Sequence, residues 1–550
     1  MKKSIFIPAL LIGKITLIFF ILYFNVGMFG FDSYIHLQHV DSIISNNNIT
    51  RVDVASSYYD FVGLHVLTSG ISFLTGLKAK LIYEFVSVVI PILLFDLSVI
   101  AFIRHVEKKK RGYIPNDFGI QYLALILLYP AIIGIQMFIG RPNSLGIGLF
   151  SLCLYLYLCK PESFRAQIIA GFLAIVTMKV HHLSAVFLLP VILFSSIFFA
   201  VNYKSILSLV YAIPAVLIVR TILDSQEFNI VNLYFSRNET YATLYDVFIK
   251  NSFSLLVLWV IITLIGYLIR IRYGERISKF FSKNTVAKIS VILIVSAVII
   301  TEIIGLFIYT ANLPSWYIST ELVILFILSA VALLFPDRVK YALFALGFCF
   351  YGFTVVSSLM FSSAEHELSW VAPRTFVFTL IFMGFLGFLA ISELLGKLGK
   401  IWKTLLIAVL LFNSYLSLAY MGDEYLPGYN LTNDYQNITF AKSIEENVNL
   451  TIYGSRISIP FSISKFIEGV NIYELPLVLD SNSSLLENGQ RIRQTSLYYV
   501  VLSTVMDQWL GTPIYLSQME ITYYLGVLIP NRPTLHVVIN NGKNFLLYHL

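Results

Sequence analysis

The chain has 550 residues, of which 57% are hydrophobic and only 13% charged. An ordinary soluble protein carries about 25% charge and about 45–50% apolar residues, so a soluble enzyme, a disordered chain and a disulfide scaffold are all excluded. The net charge of +7 gives no sign of a nucleic-acid partner, because its meaning depends on where the charges lie relative to a bilayer.

The apolar residues fall into long runs over 1–420, and 421–550 has the composition of an ordinary soluble domain. The first run begins after Lys2 and Lys3, continues past Phe24 and ends without a small-residue cleavage pattern. It reads as a retained membrane helix rather than a signal peptide. Further runs lie near 81–103, 118–139, 144–159, 165–180, 183–201, 205–223, 251–269, 289–310, 317–335, 341–361, 375–392 and 404–420. The expected fold is a polytopic α-helical membrane protein of about thirteen transmembrane helices, with 144–159 and 165–180 short enough to suggest partial re-entrance.

Alternating the runs from a cytoplasmic N-terminus gathers Lys and Arg into one set of loops: 104–111, 160–165, 270–288, 338–340 and 397–403. That is the positive-inside pattern, and it puts 421–550 outside the cell. The expected organisation is a transmembrane domain over 1–420, with a long first extracytoplasmic loop at 27–80, and an extracytoplasmic domain over 421–550. Sequons at Asn48, Asn238, Asn430, Asn437, Asn449 and Asn482 all fall on the expected outer side.

The outer loop 27–80 opens with Gly30-Phe-Asp32-Ser-Tyr34-Ile-His36-Leu-Gln-His39. As a helix it places Asp32, His36 and His39 on one face, beside a membrane where ionisable groups are costly. Asp32 could equally cap such a helix, and the histidines could form a polar interfacial stripe. A second stretch, Tyr58–Gly76 with His65, is too short to cross before the next run and reads as a helix lying flat at the interface.

The tail 421–550 reads as a small α/β or mostly-β domain. Leu450–Tyr453 and Leu497–Leu502 are rich in β-branched and aromatic residues. His536–Tyr548 has Asn541-Gly542 between two apolar runs, a hairpin signal. Cys153, Cys159 and Cys349 all lie in apolar runs, without metal-ligand spacing.

The order of first span, outer Asp-x-Tyr-x-His helix, flat helix with Tyr and His, and second span resembles the GT-C superfamily of membrane glycosyltransferases. That group includes oligosaccharyltransferase catalytic subunits and protein O-mannosyltransferase-like enzymes. The resemblance implies a GT-C-like fold and an inverting transfer of sugar from a polyprenyl- or dolichyl-phosphate donor to an extracytoplasmic glycan, lipid or protein acceptor, with Asp32 as the base. It extends to Phe138-Ile-Gly140-Arg141-Pro142-Asn143, to Met178-Lys179-Val-His181-His182, and to Glu365-His366-Glu367 ahead of Arg374. Tyr34, His36, His39, His65, Arg141, Lys179, His181, His182, Glu365, His366 and Arg374 would bind donor or acceptor. The cations would sit on the leaving phosphate, although juxtamembrane Lys and Arg also snorkel for purely physical reasons.

Two departures mark the limits of the resemblance. The tail has no Trp-Trp-Asp motif, and Asn143 stands where the superfamily often has Asp. These argue against a true oligosaccharyltransferase and weaken the case for a divalent metal, so no cofactor is expected; a metal is possible but not favoured, with His36 and His39 beside Asp32 as the residues that could bind one. The rival reading is a multi-pass transporter or lipid flippase that uses Glu302 and Glu321 within the bundle.

Overall fold

A computed structural model describes residues 9, 11–16, 18, 31–46, 61–111, 137, 140–161, 163–198, 206–224, scattered positions from 256 to 296, 315–333, 338–360 and 371–420, and the strands between 450 and 549. The chain forms two compact units. The first comprises Met1–Thr16, His39–Thr310 and Ser315–Leu418, and the second comprises Leu17–Gln38, Ala311–Pro314 and Ala419–Leu550.

Along the chain, the helices are α1 (Phe31–Asn46), α2 (Gly63–Thr75), α3 (Ala79–Glu84), α4 (Ile90–Arg111), α5 (Pro142–Cys159), α6 (Phe164–Val180), α7 (His182–Phe198), α8 (Ile206–Asp224), α9 (Ser315–Leu333), α10 (Arg338–Met360), α11 (Val371–Lys397) and α12 (Lys400–Tyr420). Four stretches among the described residues are long and apolar enough to cross a bilayer: Ala79–Val106, Pro142–Cys159, Val339–Ser357 and Thr375–Leu395. The chain is a helical membrane protein. The 144–159 run is one unbroken helix of 18 residues, so its expected partial re-entrance is not needed. The expected span at 118–139 lies almost wholly outside the described residues, and so does 289–310, which includes Glu302. Glu321 lies on α9.

In the first unit α4 packs on α5, and α5 on α6 and α7. Both α9 and α10 pack on α11, which also meets α4. Phenylalanines join these two groups of helices. Ring centroids lie 4.6 Å apart for Phe102–Phe385, 4.9 Å for Phe150–Phe378 and 4.5 Å for Phe187–Phe378. Each such pair adds about 0.5–1.5 kcal/mol beyond area burial. Small polar groups tie the helices as well: Ser329 Oγ lies 2.8 Å from its own helix at Leu325 O and 2.9 Å from Met383 O across the interface.

The second span is not a plain helix. Phe85–Val89, between α3 and α4, form a π turn. Pro91 supplies the physical cause, because it has no N–H for the carbonyl four residues earlier. Gly148 of α5 fits against this bend, where a Cβ would lie 2.8 Å from Pro91 Cα.

Among the described residues, two ion pairs hold charge inside the bundle. Lys14 Nζ lies 2.7 Å from Asp96 Oδ2, and Lys340 Nζ lies 2.5 Å from Glu393 Oε1 with both side chains almost fully buried. Each carboxylate is paired with an ammonium from another helix, which offsets part of the cost of burying either alone.

In the second unit, β1 (Leu450–Ser455), β2 (Val470–Leu475), β3 (Leu497–Val501), β6 (Leu535–Asn540) and β7 (Asn544–His549) form a sheet of order β2-β1-β3-β7-β6. A separate pair joins β4 (Val505–Met506) to β5 (Pro513–Ile514). The β1 strand runs parallel to β2 and β3, while β7 runs antiparallel to β3 and β6. The β6–β7 pairing is the hairpin expected from Asn541-Gly542, with an irregularity between Val537 and Ile539.

Candidate functional site

The helix expected from the Asp-x-Tyr-x-His stretch is α1, continuous from Phe31 through Asn46. Asp32 and Tyr34 lie in its first turn and His39 two turns further on. His36 and His39 are both buried. From His39 onward the helix belongs to the first unit, where it packs on α2. The rings of His39 and His65 lie 5.0 Å apart, and Ser69 Oγ lies 3.5 Å from Val40 O.

Helix α2 is inside out by the standards of a soluble protein. Its buried residues are Leu64, His65, Thr68, Ser69 and Ser72, while Leu67, Phe73 and Leu74 are exposed, Leu74 to 89%. Such a helix suits a bilayer interface, with its apolar face to the lipid and its polar face to the protein. The inward hydroxyls are satisfied locally: Thr68 Oγ1 donates to Leu64 O at 2.8 Å and Ser69 Oγ to His65 O at 2.8 Å. Thirteen residues span about 20 Å, short of a bilayer core. Gly76 closes the helix with φ of 68°, and its N–H bonds to Ser72 O.

The start of α2 meets the α6–α7 junction. Gly63 lies so close that a Cβ there would sit 2.8 Å from Lys179 O. The Phe61 ring lies 4.6 Å from that of His182, which is in turn 5.3 Å from His181. The junction then meets the start of α5, where a Cβ on Gly146 would lie 2.5 Å from Ser184 Oγ and 2.9 Å from His181 Cβ.

Arg141 is the N-cap of α5. It is extended, at φ −127° and ψ 173°, with Pro142 as the first helical residue. Its backbone N–H donates to Ser144 Oγ at 3.2 Å, and Ser144 N donates back to Arg141 O at 2.9 Å. Gly140, with φ of 64°, turns the chain into this cap, and Tyr83 Oη holds its carbonyl at 2.6 Å. A Cβ on Gly140 would lie 3.0 Å from Ser87 Oγ. Arg141 is only 4% exposed and Asn143 6%, whereas Lys179 is exposed.

His181 ends α6 and begins α7. Its Nδ1 accepts from Ser184 N at 3.2 Å and lies 2.8 Å from Ser184 Oγ. The ring therefore acts as the N-terminal cap of α7.

The structure thus brings His39 to His65, between α1 and α2, and gathers His181 and His182 with Phe61, Gly63, Gly146 and Ser184 where α2, α5, α6 and α7 meet, while Arg141 caps the same α5 five residues before Gly146. Of the other expected site residues, Glu365 and His366 lie outside the described residues. Arg374 is in the first turn of α11, after Pro373. Among the described residues no group of three or more His, Cys, Asp or Glu is placed to hold a metal ion.

The electrostatics of α1 are set by burial. Desolvation lowers the His39 pKa from 6.5 to about 4 and raises that of Asp41 from 3.8 to about 6. His39 is therefore neutral near pH 7.

The contributions of Phe61, Gly63, Gly146 and Ser184 are missed by reading the sequence for chemistry alone. One local signal was present: Ser184 is the third residue after His181, the spacing of a helix cap.

No protein-family model matches the chain, and no curated protein matches it. Among solved structures, the chain is similar to the crystal structure of ArnT from Cupriavidus metallidurans bound to undecaprenyl phosphate, at 9% identity and a TM-score of 0.39 over 99% of this chain and 98% of that one.

Proposed function

We propose that the chain is a membrane glycosyltransferase of GT-C type that moves a sugar from a polyprenyl- or dolichyl-phosphate donor to an extracytoplasmic acceptor. The observation that carries this reading is the packing of the helix starts of α5 and α7, where Gly146 meets His181 and Ser184, His182 lies against Phe61, and the buried Arg141 caps α5. Helix N-termini favour anions, and the buried guanidinium of Arg141 adds a full positive charge in a region of reduced dielectric. This chemistry suits a departing phosphate. The imidazoles suit the hydroxyls of a sugar.

In the proposed reaction Asp32 takes the proton of the acceptor hydroxyl as that oxygen attacks the anomeric carbon. The bond from that carbon to the phosphate oxygen breaks, its electron pair leaves with the phosphate, and Arg141, Lys179 and Arg374 offset the developing charge. Attack from the side opposite the leaving group inverts the anomeric centre. Asp32 stands in the first turn of α1. No metal takes part in this scheme. The membrane domain of 1–420, the extracytoplasmic placement of 421–550 and the cytoplasmic N-terminus belong to the same proposal.

The test is transfer by the purified full-length chain in proteoliposomes, offered radiolabelled polyprenyl-phosphate sugars and a panel of acceptors. Labelled product from the wild type supports the reading. Absence of product and of donor hydrolysis across the panel, with the protein folded, counts against it.

A further inference from the structure

Helix α2 leaves one side uncovered by the described residues. Leu67, Gly70, Ile71 and Leu74 recur along it at helical spacing, and a Cβ on Gly70, midway along that side, would meet nothing within 4 Å. The exposed apolar surface continues past the helix end. Phe73, Leu74 and Leu77 are all exposed, and Leu81 follows in the first turn of α3. Gly76, at φ 68°, bends the chain between them. The result is an apolar elbow that leads directly into Ala79–Val106, a stretch long and apolar enough to cross a bilayer.

The polar groups of the elbow are turned in on one another. Gly76 N–H donates to Ser72 O at 2.8 Å, Leu77 N–H donates to Thr75 Oγ1 at 3.3 Å, and Ser72 Oγ donates to Leu77 O at 2.7 Å. Thr75 Oγ1 in turn donates to Ile71 O at 2.7 Å, although Thr75 is exposed. Both backbone groups of Leu77 are therefore paired by side chains in the turn between two helices. Water would satisfy such groups unaided, whereas hydrocarbon cannot. Apolar side chains outward and a self-paired backbone inward are what lipid demands of a turn. Lys78, directly after Leu77, is exposed at the N-cap of α3. An ammonium beside an apolar tip reaches headgroup phosphates while its neighbours enter the acyl chains.

We infer that the elbow 73–78 is a lipid anchor: Leu67, Phe73, Leu74 and Leu77 enter the acyl region of the leaflet in which Ala79–Val106 begins, and Lys78 meets the phosphates of that leaflet. This goes beyond a helix lying flat, because it fixes which end is deeper. The end of α2 is held by lipid, while its start is held by protein, with Gly63 against Lys179 O. The inference rests on the membrane-spanning character of the chain and not on sugar transfer.

The test uses single cysteines in the full-length chain in nanodiscs, with Cys349, the exposed one of the three native cysteines, replaced by Ala. Leu74→Cys reports the apolar tip. Lys160→Cys, at an exposed position between α5 and α6, is the aqueous reference. Each is scored for reaction with a charged, water-soluble maleimide. After labelling with bimane in detergent and reconstitution, each is scored again for quenching by phosphatidylcholine brominated along its acyl chains. Thermal unfolding confirms that both variants are folded.

The expected result is that position 74 reacts at least about tenfold more slowly than position 160 and loses at least about half its bimane fluorescence to the bromines, since interfacial insertion of ~5–10 Å brings it to the acyl chains. In nanodiscs containing anionic phospholipid, adding Lys78→Glu should cut the quenching at 74 by about half, because the elbow then meets like charge at the surface. Reaction at 74 as fast as at 160 means that water covers this face and overturns the anchor. Slow reaction without quenching means that protein covers it, and overturns the anchor equally. Quenching unchanged by Lys78→Glu overturns the phosphate contact. Quenching at 74 in a chain that transfers no sugar defeats the proposed function and leaves the anchor standing.

Discussion

Replacing Asp41 with Asn should reveal a pH dependence that the wild-type chain hides. Burial in α1 holds the His39 pKa near 4, against an ordinary histidine value of 6.5. The unfolded chain therefore takes up a proton below pH 6.5 that the folded chain refuses. The stability this contributes is complete above 6.5 and is lost as pH falls toward 4. Asp41 has the opposite sign. Its folded pKa is raised from 3.8 to about 6, so the folded chain keeps a proton that the unfolded chain gives up. The resulting penalty is absent below 3.8, grows as pH rises, and is complete above 6.

Between pH 4 and 6 the two groups pull against each other. One proton of difference corresponds to about 1.4 kcal/mol per pH unit. Asp41 is partly exposed, and solvent screening cuts its share to roughly half. In Asp41→Asn the His39 slope is no longer opposed. Protection of the 31–46 amides, corrected for intrinsic exchange, should then rise between pH 4.5 and 6.5 by about tenfold more than in the wild type. In His39→Gln it should instead fall relative to the wild type across the same window. Comparing each variant with the wild type cancels the contributions of His36 and His65. The assay is hydrogen exchange by mass spectrometry on the chain in nanodiscs. If both variants follow the wild-type profile, burial does not set the charge state of α1 and the reasoning fails.

Gly146→Ala would place a methyl group 2.5 Å from Ser184 Oγ, so it should cost about 1–3 kcal/mol and lower the unfolding temperature. Gly70→Ala, with nothing within 4 Å of the added Cβ, is the control and should not be destabilised. For the Lys340–Glu393 pair, Lys340→Met alone should destabilise by about 3–5 kcal/mol, and adding Glu393→Leu should recover most of that loss; chemical unfolding in mixed micelles reads both. Arg374→Lys keeps charge but loses the planar pair of donors, so it should raise the KM for lipid-linked donor several-fold with a smaller change in kcat. An unchanged KM in Arg374→Ala would return Arg374 to an anchoring role.

The helices were largely legible because each spanning run is apolar along its length. Hydropathy alone places α5, α6 and α8 to within a few residues of the expected runs. The short α1 was legible for a different reason: Asp32, His36 and His39 recur at helical spacing. The ion pairs were not legible. Asp96 and its partner Lys14 are 82 residues apart. Lys340 and Glu393 are 53 residues apart. Pairing across a bundle depends on which helices adjoin, and periodicity does not encode that.

The candidate site shows the same division. The residue types of the site were visible, but the close approach of α2 and α5 to the α6–α7 junction depends on Gly63 and Gly146, which matter through what they lack. Lys179 and Arg141 looked equivalent as juxtamembrane cations, yet Arg141 is buried at a helix start and Lys179 is exposed. In the second unit, the hairpin followed from its turn residues, whereas the parallel placement of β1 between β2 and β3 follows from crossovers that leave no short-range signal.

The central claim is that the chain transfers sugar from a lipid phosphate, with Asp32 as the base. The most direct measurement compares wild type and Asp32→Asn in single-turnover transfer from a radiolabelled polyprenyl-phosphate sugar, with the anomeric configuration of the product determined. The account predicts an inverted product from the wild type, and a loss of at least about a hundredfold in Asp32→Asn with unfolding temperature unchanged. Undiminished transfer by Asp32→Asn, or a product that retains the donor configuration, would contradict it.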